Sequence, residues 1–479
     1  MRSAIRSRPP LPSTPMPVRD ELGRDMLGYI TGNVPQVYVP QVCDIATLIG
    51  CVAGAELAGM LAAAWEHGLT GPQLADALLR VVAQHPAMLG DPVLWAVADC
   101  ARLAADLGGE RAAGPWLVAA QLVAERHATW GASNGIDLPA TAEPLRDLLA
   151  QACRQPGDLG VAAIAAAKFA DLATEVGEAS ATLHLPLLAA GLRALAPVRA
   201  EYAQILSKIE PLRPRLAEIA ELRDPAKARA FVEPKFRPHL VDGSVDQAIK
   251  ACLRAAEVGI PHELLAQGLC LGAAERLLRC DRKWDSDATV DESSTTIAQL
   301  VVLASAVRQL QPVAPPAAWL ELLLFTAGLI AATAPLDRPK GVGSDLPDAA
   351  QVQQTWDHGP EIAKIVSHLH AGRGEAAIAH LRAYFLLVLP EQPLCSQLRE
   401  AALSDHGQPA LEAARSIAVM AAAVDDFQAL SGNPHRERVL AAALRYLAEP
   451  EAPRSRLAVI ETALQRRSLG WSSQSLLRI

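Results

Sequence analysis

The chain has 479 residues, of which 51% are hydrophobic, 4% aromatic and 20% charged. That balance excludes wholesale disorder and is enough for two or three packed units around a large core. Forty-four Lys and Arg against 52 Asp and Glu give a net charge of −8, which argues against a general nucleic-acid binder.

In chain order, residues 1–40 set Arg2, Arg6 and Arg8 among prolines, where a signal peptide needs an apolar run. They read as a disordered arm and lead-in. Beyond them, apolar side chains recur at Leu57, Met60, Leu61 and Ala64, then at Leu74, Leu78, Val81 and Val82. Spacings of three and four predict helices, punctuated by Gly68, Pro72 and Pro86. Ala and Leu supply most of the apolar bulk, and no run alternates Val, Ile and Thr. The expected fold class is all-α: duplicated or triplicated helical bundle units forming a compact multi-helix array.

Segment 63–83 (AAWEHGLTGPQLADALLRVVA) aligns with 254–274 (RAAEVGIPHELLAQGLCLGAA) at a constant offset. The match pairs Glu66 with Glu257, Gly68 with Gly259, Leu69 with Ile260 and Leu74 with Leu265. A third copy is read at 383–403, where Val388 replaces the glycine. In physical terms a helix ends at a glycine cap, one apolar residue anchors the turn, and the next helix starts. The expected divisions are unit one at 41–200, a charged helical hairpin and linker at 201–243, unit two at 244–345 and unit three at 346–479. Pro211 and Pro214 interrupt the charged stretch, and 233–243 (EPKFRPHLVDG) reads as linker.

Stretches 46–64 and 315–336 approach the roughly 20 residues of a membrane-spanning helix. Each carries one acid, Glu56 and Glu321, so both read as central helices of a soluble core rather than as membrane spans. On paired central helices these acids could line one pocket; the other reading puts each near a helix end, in reach of solvent. Trp130, in the turn-rich loop 129–137, offers a stacking surface beside such a pocket.

Eight cysteines, none in a CxxC, read as buried free thiols in a reducing cytoplasm. Among the histidines, His368 and His370 lie two residues apart, about 200° around a helix. His380 follows beyond Gly372 and Gly374, so the three could converge across a turn as a metal or acid–base site. Ser404-Asp405-His406 is contiguous and reads as a turn, because a triad needs its members brought together in line from separate places. The glycine-rich 340–345 lacks phosphate-loop spacing, and the acid-rich 281–287 lacks the glycine and distal Glu of a calcium loop.

The stretch GIPHELLAQGLCLGAAERLLRCDRKWDSD through TTIAQLVVLASAVRQL (259–310), with 367–385 and 398–416, resembles a bacterial all-helical domain found with Rieske-type iron–sulfur proteins. More distantly it is similar to questin-oxidase-like proteins. The resemblance lies in the helical rhythm across 54–450 and implies histidines on the apolar helices of each repeat. Here the corresponding positions carry Gln299, Ser305 and Ala414, and Rieske cysteine–histidine pairs are missing. It therefore implies a partner subunit that has kept the packing and lost the ligands.

Two functional readings stay open. The first is a non-catalytic accessory or binding protein, without cofactor, for a protein partner or an apolar small molecule. The alternative is a metal- or cofactor-dependent oxidoreductase, with iron as the metal and His368, His370 and His380, with His127 or His184, as ligands between repeats.

Overall fold

The computed structural model describes residues 42–52, 54–130, 144–176, 181–281, 285, 293–339, 345–353, 355–404 and 409–448. Residues 1–41, 53, 131–143, 177–180, 282–284, 286–292, 340–344, 354, 405–408 and 449–479 lie outside them. With these go the N-terminal arm, the loop beyond Trp130, most of the acid-rich turn, the glycine-rich segment and the Asp405-His406 pair. The described residues form twenty α-helices and no strand, apart from one isolated bridge between Cys280 and Asp337.

The first five helices are α1 (Val42–Cys51), α2 (Gly54–Glu66), α3 (Gly71–Ala83), α4 (Pro92–Leu107) and α5 (Ala113–His127). Five more follow: α6 (Leu145–Arg154), α7 (Val161–Val176), α8 (Ala181–Ala194), α9 (Ala200–Ile209) and α10 (Arg213–Ala220). Then come α11 (Glu233–Val241), α12 (Val245–Glu257), α13 (His262–Arg279), α14 (Ser294–Leu310) and α15 (Pro316–Ala332). The last five are α16 (His358–His370), α17 (Gly374–Leu386), α18 (Glu391–Ala401), α19 (Ala410–Ala429) and α20 (Glu437–Leu447).

Three of these sets of five, α1–α5, α11–α15 and α16–α20, pair their helices alike. In each, the first helix packs on the third, the second on the fifth, the third on the fourth and the fourth on the fifth. The turn between second and third helices is also shared. Gly68, Gly259 and Val388 take φ of 103°, 84° and 55°. At each, the N–H of that residue bonds the carbonyl three back, and the next N–H bonds the carbonyl five back (Leu69 to Ala64, Ile260 to Ala255, Leu389 to Tyr384). This is the Schellman closure, which satisfies the last carbonyls of the helix and favours glycine at its left-handed position. Capping boxes start α3 (Thr70 with Gln73), α12 (Ser244 with Gln247) and α14 (Ser293 with Thr296).

The fourth helices meet at the centre. α19 packs on both α4 and α14, and α7 packs on the same two from the other side. Around α15 stand α6, α9, α10, α11, α12, α13 and α14, so this helix is enclosed. Pro316–Leu336 is long and apolar enough to cross a membrane by length and composition, but 83% of its most apolar stretch is buried inside the protein. Each of its large side chains, such as Trp319, Leu323 and Phe325, contributes about 1.5–3 kcal/mol by leaving water.

Two expectations need correction. Stretch 46–64 is not one central helix: α1 stops at Cys51 and α2 begins at Gly54, whose φ is 66°. Segment 233–243 is not a linker. It forms α11, with Pro234 in the first turn where no N–H is needed, and it packs on α12, α13 and α15. Its second proline, Pro238, is tolerated in a helix of barely more than two turns.

Candidate functional site

The residues singled out in the sequence fall in separate places. Glu56 lies exposed in the first turn of α2. Glu321 is buried on α15 and accepts a 2.7 Å bond from Arg213, with Arg154 at 3.6 Å. The two acids therefore do not line one pocket; one is solvated and the other is neutralised by arginine. Trp130 is buried, with its ring centroid 5.4 Å from that of His85 and 5.7 Å from that of His127. Burial lowers the basicity of both histidines. The side chain of His184 lies outside the described set.

His368 and His380 do meet across the α16–α17 turn, their rings stacked at 5.2 Å. Against His380 sits Glu361, which the sequence reading passed over. Its fully buried carboxylate lies 2.5 Å from Nδ1 of His380 and accepts bonds from the Thr355 hydroxyl (2.8 Å) and Lys364 (3.2 Å). Burial acts to raise the Glu361 carboxyl, but these hydrogen bonds outweigh it and hold it below its ordinary value. His368 is lowered by burial and by Arg373, His380 and Lys364. His370 lies two residues beyond His368 on α16, about 200° around the helix. Among the described residues no group of three or more His, Cys, Asp or Glu could hold a metal ion, so the three histidines do not form the expected cluster.

A second feature, which no local motif announces, is a charged network in the four-helix centre. Lys168 of α7 reaches Asp99 of α4 at 2.5 Å, both side chains almost wholly buried. Asp426 of α19 accepts from Arg308 (2.7 Å) and Ser305 (2.9 Å) of α14. Its neighbour Asp425 accepts from Arg102 of α4 at 2.7 Å and from Arg399 of α18, which also binds Asp106. Burial pushes the Asp99 carboxyl up to about 6 against the pull of Lys168, and raises Asp171 and Asp426 too. Lys168 is raised because Asp99, Asp171 and Asp425 outweigh its desolvation. Lys168, Asp99, Arg308, Asp426, Arg102, Arg399 and Asp425 each meet an opposite charge, and these pairs tie α4, α7, α14, α18 and α19 together.

The third feature is open. Helices α11 and α12, with the short 3₁₀ turn Pro225–Ala230, border a groove of about 710 Å³. Its α12 wall is Gln247, Lys250, Ala251, Arg254, Ala255 and Val258; its α11 wall is Val232, Lys235, Phe236 and His239. Both sets recur at three and four residues, so each is one face of its helix, and the α12 face runs about 16 Å. Phe231 and Phe236 pack at 5.2 Å to make the floor. Phe236 can lie there because Gly268 of α13 has no side chain; a Cβ would sit 2.8 Å from the ring.

Val232 and Val258 remain 44% and 59% exposed at the rim. The lining contains Lys235, Lys250, Arg254 and His239 and no acid. The side chains of Lys235, Lys250 and Arg254 make no hydrogen bond or ion pair within the described residues. Asp246, the acid nearest Lys250 on α12, is already held by Lys208 at 2.6 Å. A signal was present in the sequence: Val232, Phe236 and Leu240 keep helical spacing through the two prolines.

No family model, no curated protein and no solved structure matches the chain. The reading of function therefore rests on geometry.

Proposed function

We propose that this chain is a non-catalytic helical binding protein that carries its partner in the α11–α12 groove, as an accessory of a redox or biosynthetic system. The observation that supports this is the pairing of an apolar groove, rimmed by the exposed Val232 and Val258, with unpaired cations in a chain that is acidic overall. A volume near 710 Å³ falls within the range of ligand-binding clefts. A cytoplasmic place fits the seven cysteines whose side chains are described, all free, with burial pushing Cys153 to about 12 and Cys395 to about 11.

The test uses 8-anilinonaphthalene-1-sulfonate, an anionic apolar dye that brightens on leaving water. The reading expects saturable binding that Val258→Asp, at a 59% exposed position of the lining, weakens while the helical circular dichroism is kept. Equal binding by wild type and variant would overturn it. The alternative, an iron-dependent oxidoreductase, draws support from Glu361, His380 and His368 alone. Stoichiometric iron surviving dialysis would favour it.

A further inference from the structure

We infer that the occupant of the groove is an acidic amphipathic α-helix of a partner protein, about three turns long. This rests on the reading of the groove as a binding site and adds what it recognises. Three observations carry it.

The shape is a trough. Its walls are two helix faces at the α11–α12 junction, and the α12 wall runs about 16 Å, the span of about eleven helical residues. A small molecule in a specific cleft has most of its surface covered, whereas a helix needs contact along one face only. Ala251 and Ala255 keep the α12 wall low, so that a third helix axis can approach to the usual 8–10 Å.

The apolar pattern matches. Phe236 on the floor and Val232 and Val258 at the rim would receive residues spaced i, i+3, i+4 and i+7. The charge also matches. Lys235, Lys250 and Arg254 stand beside this apolar surface with no hydrogen bond or ion pair among the described residues, on a chain whose net charge is −8. Carboxylates flanking an apolar helix stripe would meet them, while a basic helix would be repelled.

The experiment measures fluorescence anisotropy of a labelled fourteen-residue peptide with Leu at those four spacings and Glu elsewhere, against the full chain. A Lys-for-Glu peptide, a scrambled peptide and dodecanoate serve as comparisons. Saturable binding of the Glu peptide is expected, weakened about tenfold by Lys250→Glu with Arg254→Glu, weakened by salt, and absent for the Lys and scrambled peptides. Val258→Asp, on the exposed rim, should weaken it as well and guards against a folding defect in the charge-reversed variant. If dodecanoate binds and is lost in the same variants while the Glu peptide does not bind, the helix occupant is wrong and the binding reading stands. If neither binds, both fail. Equal affinity for the Glu and Lys peptides, or no effect of the groove variants, overturns the proposal.

Discussion

The four-helix centre and the α11–α12 groove both bring charges next to apolar surface, yet they do so in opposite ways. In the centre, Lys168, Asp99, Arg308, Asp426, Arg399 and Asp425 are withdrawn from water and each meets an opposite charge. In the groove, Lys235, Lys250 and Arg254 face water unpaired, while Val232 and Val258 stay exposed beside them. A buried charge without a partner is costly enough that a fold must match it, whereas an exposed cation carries no such constraint. Matched charges therefore mark what holds the helices together. Unmatched charges beside exposed apolar residues mark what the fold leaves for something else.

The largest expected effect lies in the centre. Lys168→Met leaves Asp99 buried without its partner and should cost about 3–5 kcal/mol in denaturant unfolding. Adding Asp99→Leu should recover most of that loss, because an apolar pair of similar volume satisfies the same space. No recovery would mean that the pair does more than match charge.

Next come the shared turns. Gly259→Val forces a β-branched residue to φ 84° and sets its Cβ 2.4 Å from the Leu222 carbonyl oxygen, so a loss of about 2 kcal/mol or more is expected. Gly68→Val should cost about 1–2 kcal/mol from its φ of 103°. Val388→Gly should instead stabilise, by about 0.5–1 kcal/mol, since that valine already sits at φ 55° and is 88% exposed. If Val388→Gly destabilises, the three turns are not equivalent.

A third kind of site sharpens the contrast: a group that is sealed and unpaired. His262 stacks on Trp319 at 4.7 Å, its Nδ1 buried without a partner, and burial with the Arg223 charge lowers its pKa to about 4. The unfolded chain then binds a proton that the folded protein refuses. This stability is present above about pH 6.5 and is lost as pH falls through about 4. His262→Phe, which keeps the stack, should flatten that part of the Tm profile between pH 6.5 and 4. An unchanged slope would show that folding does not shift the proton affinity of His262. The smallest effect belongs to the groove, where Lys250→Glu with Arg254→Glu should move stability by no more than about 0.5 kcal/mol.

The sequence carried the helical class and the shared turn plainly. Ala and Leu at spacings of three and four, closed by Gly68 and Gly259, report local physics, and local physics is written in neighbouring residues. The centre was not legible in this way. Asp99, Lys168, Arg308, Arg399 and Asp425 come from five helices spread over more than three hundred positions, and nothing local says that they converge. The local hints were Lys168 within VAAIAAAKFADLA and the Asp425-Asp426 pair ending a long apolar run. The groove was hidden for a different reason. Pro234 and Pro238 in EPKFRPHLV look like linker chemistry, and a short helix held by α12, α13 and α15 overrides that local preference. Glu361 was missed because its meaning depends on His380, nineteen residues away.

The most direct test sets the two regions side by side: unfolding free energy and affinity for the acidic Leu/Glu peptide, measured on Lys168→Met and on Lys250→Glu with Arg254→Glu. The account predicts a crossed result. Lys168→Met loses stability and, at temperatures where it remains folded, binds the peptide like wild type. The groove variant keeps its stability and binds about tenfold more weakly. If both variants lose stability and affinity together, or if the groove variant unfolds like the central one, matched and unmatched charges have no separate roles here and the account is contradicted.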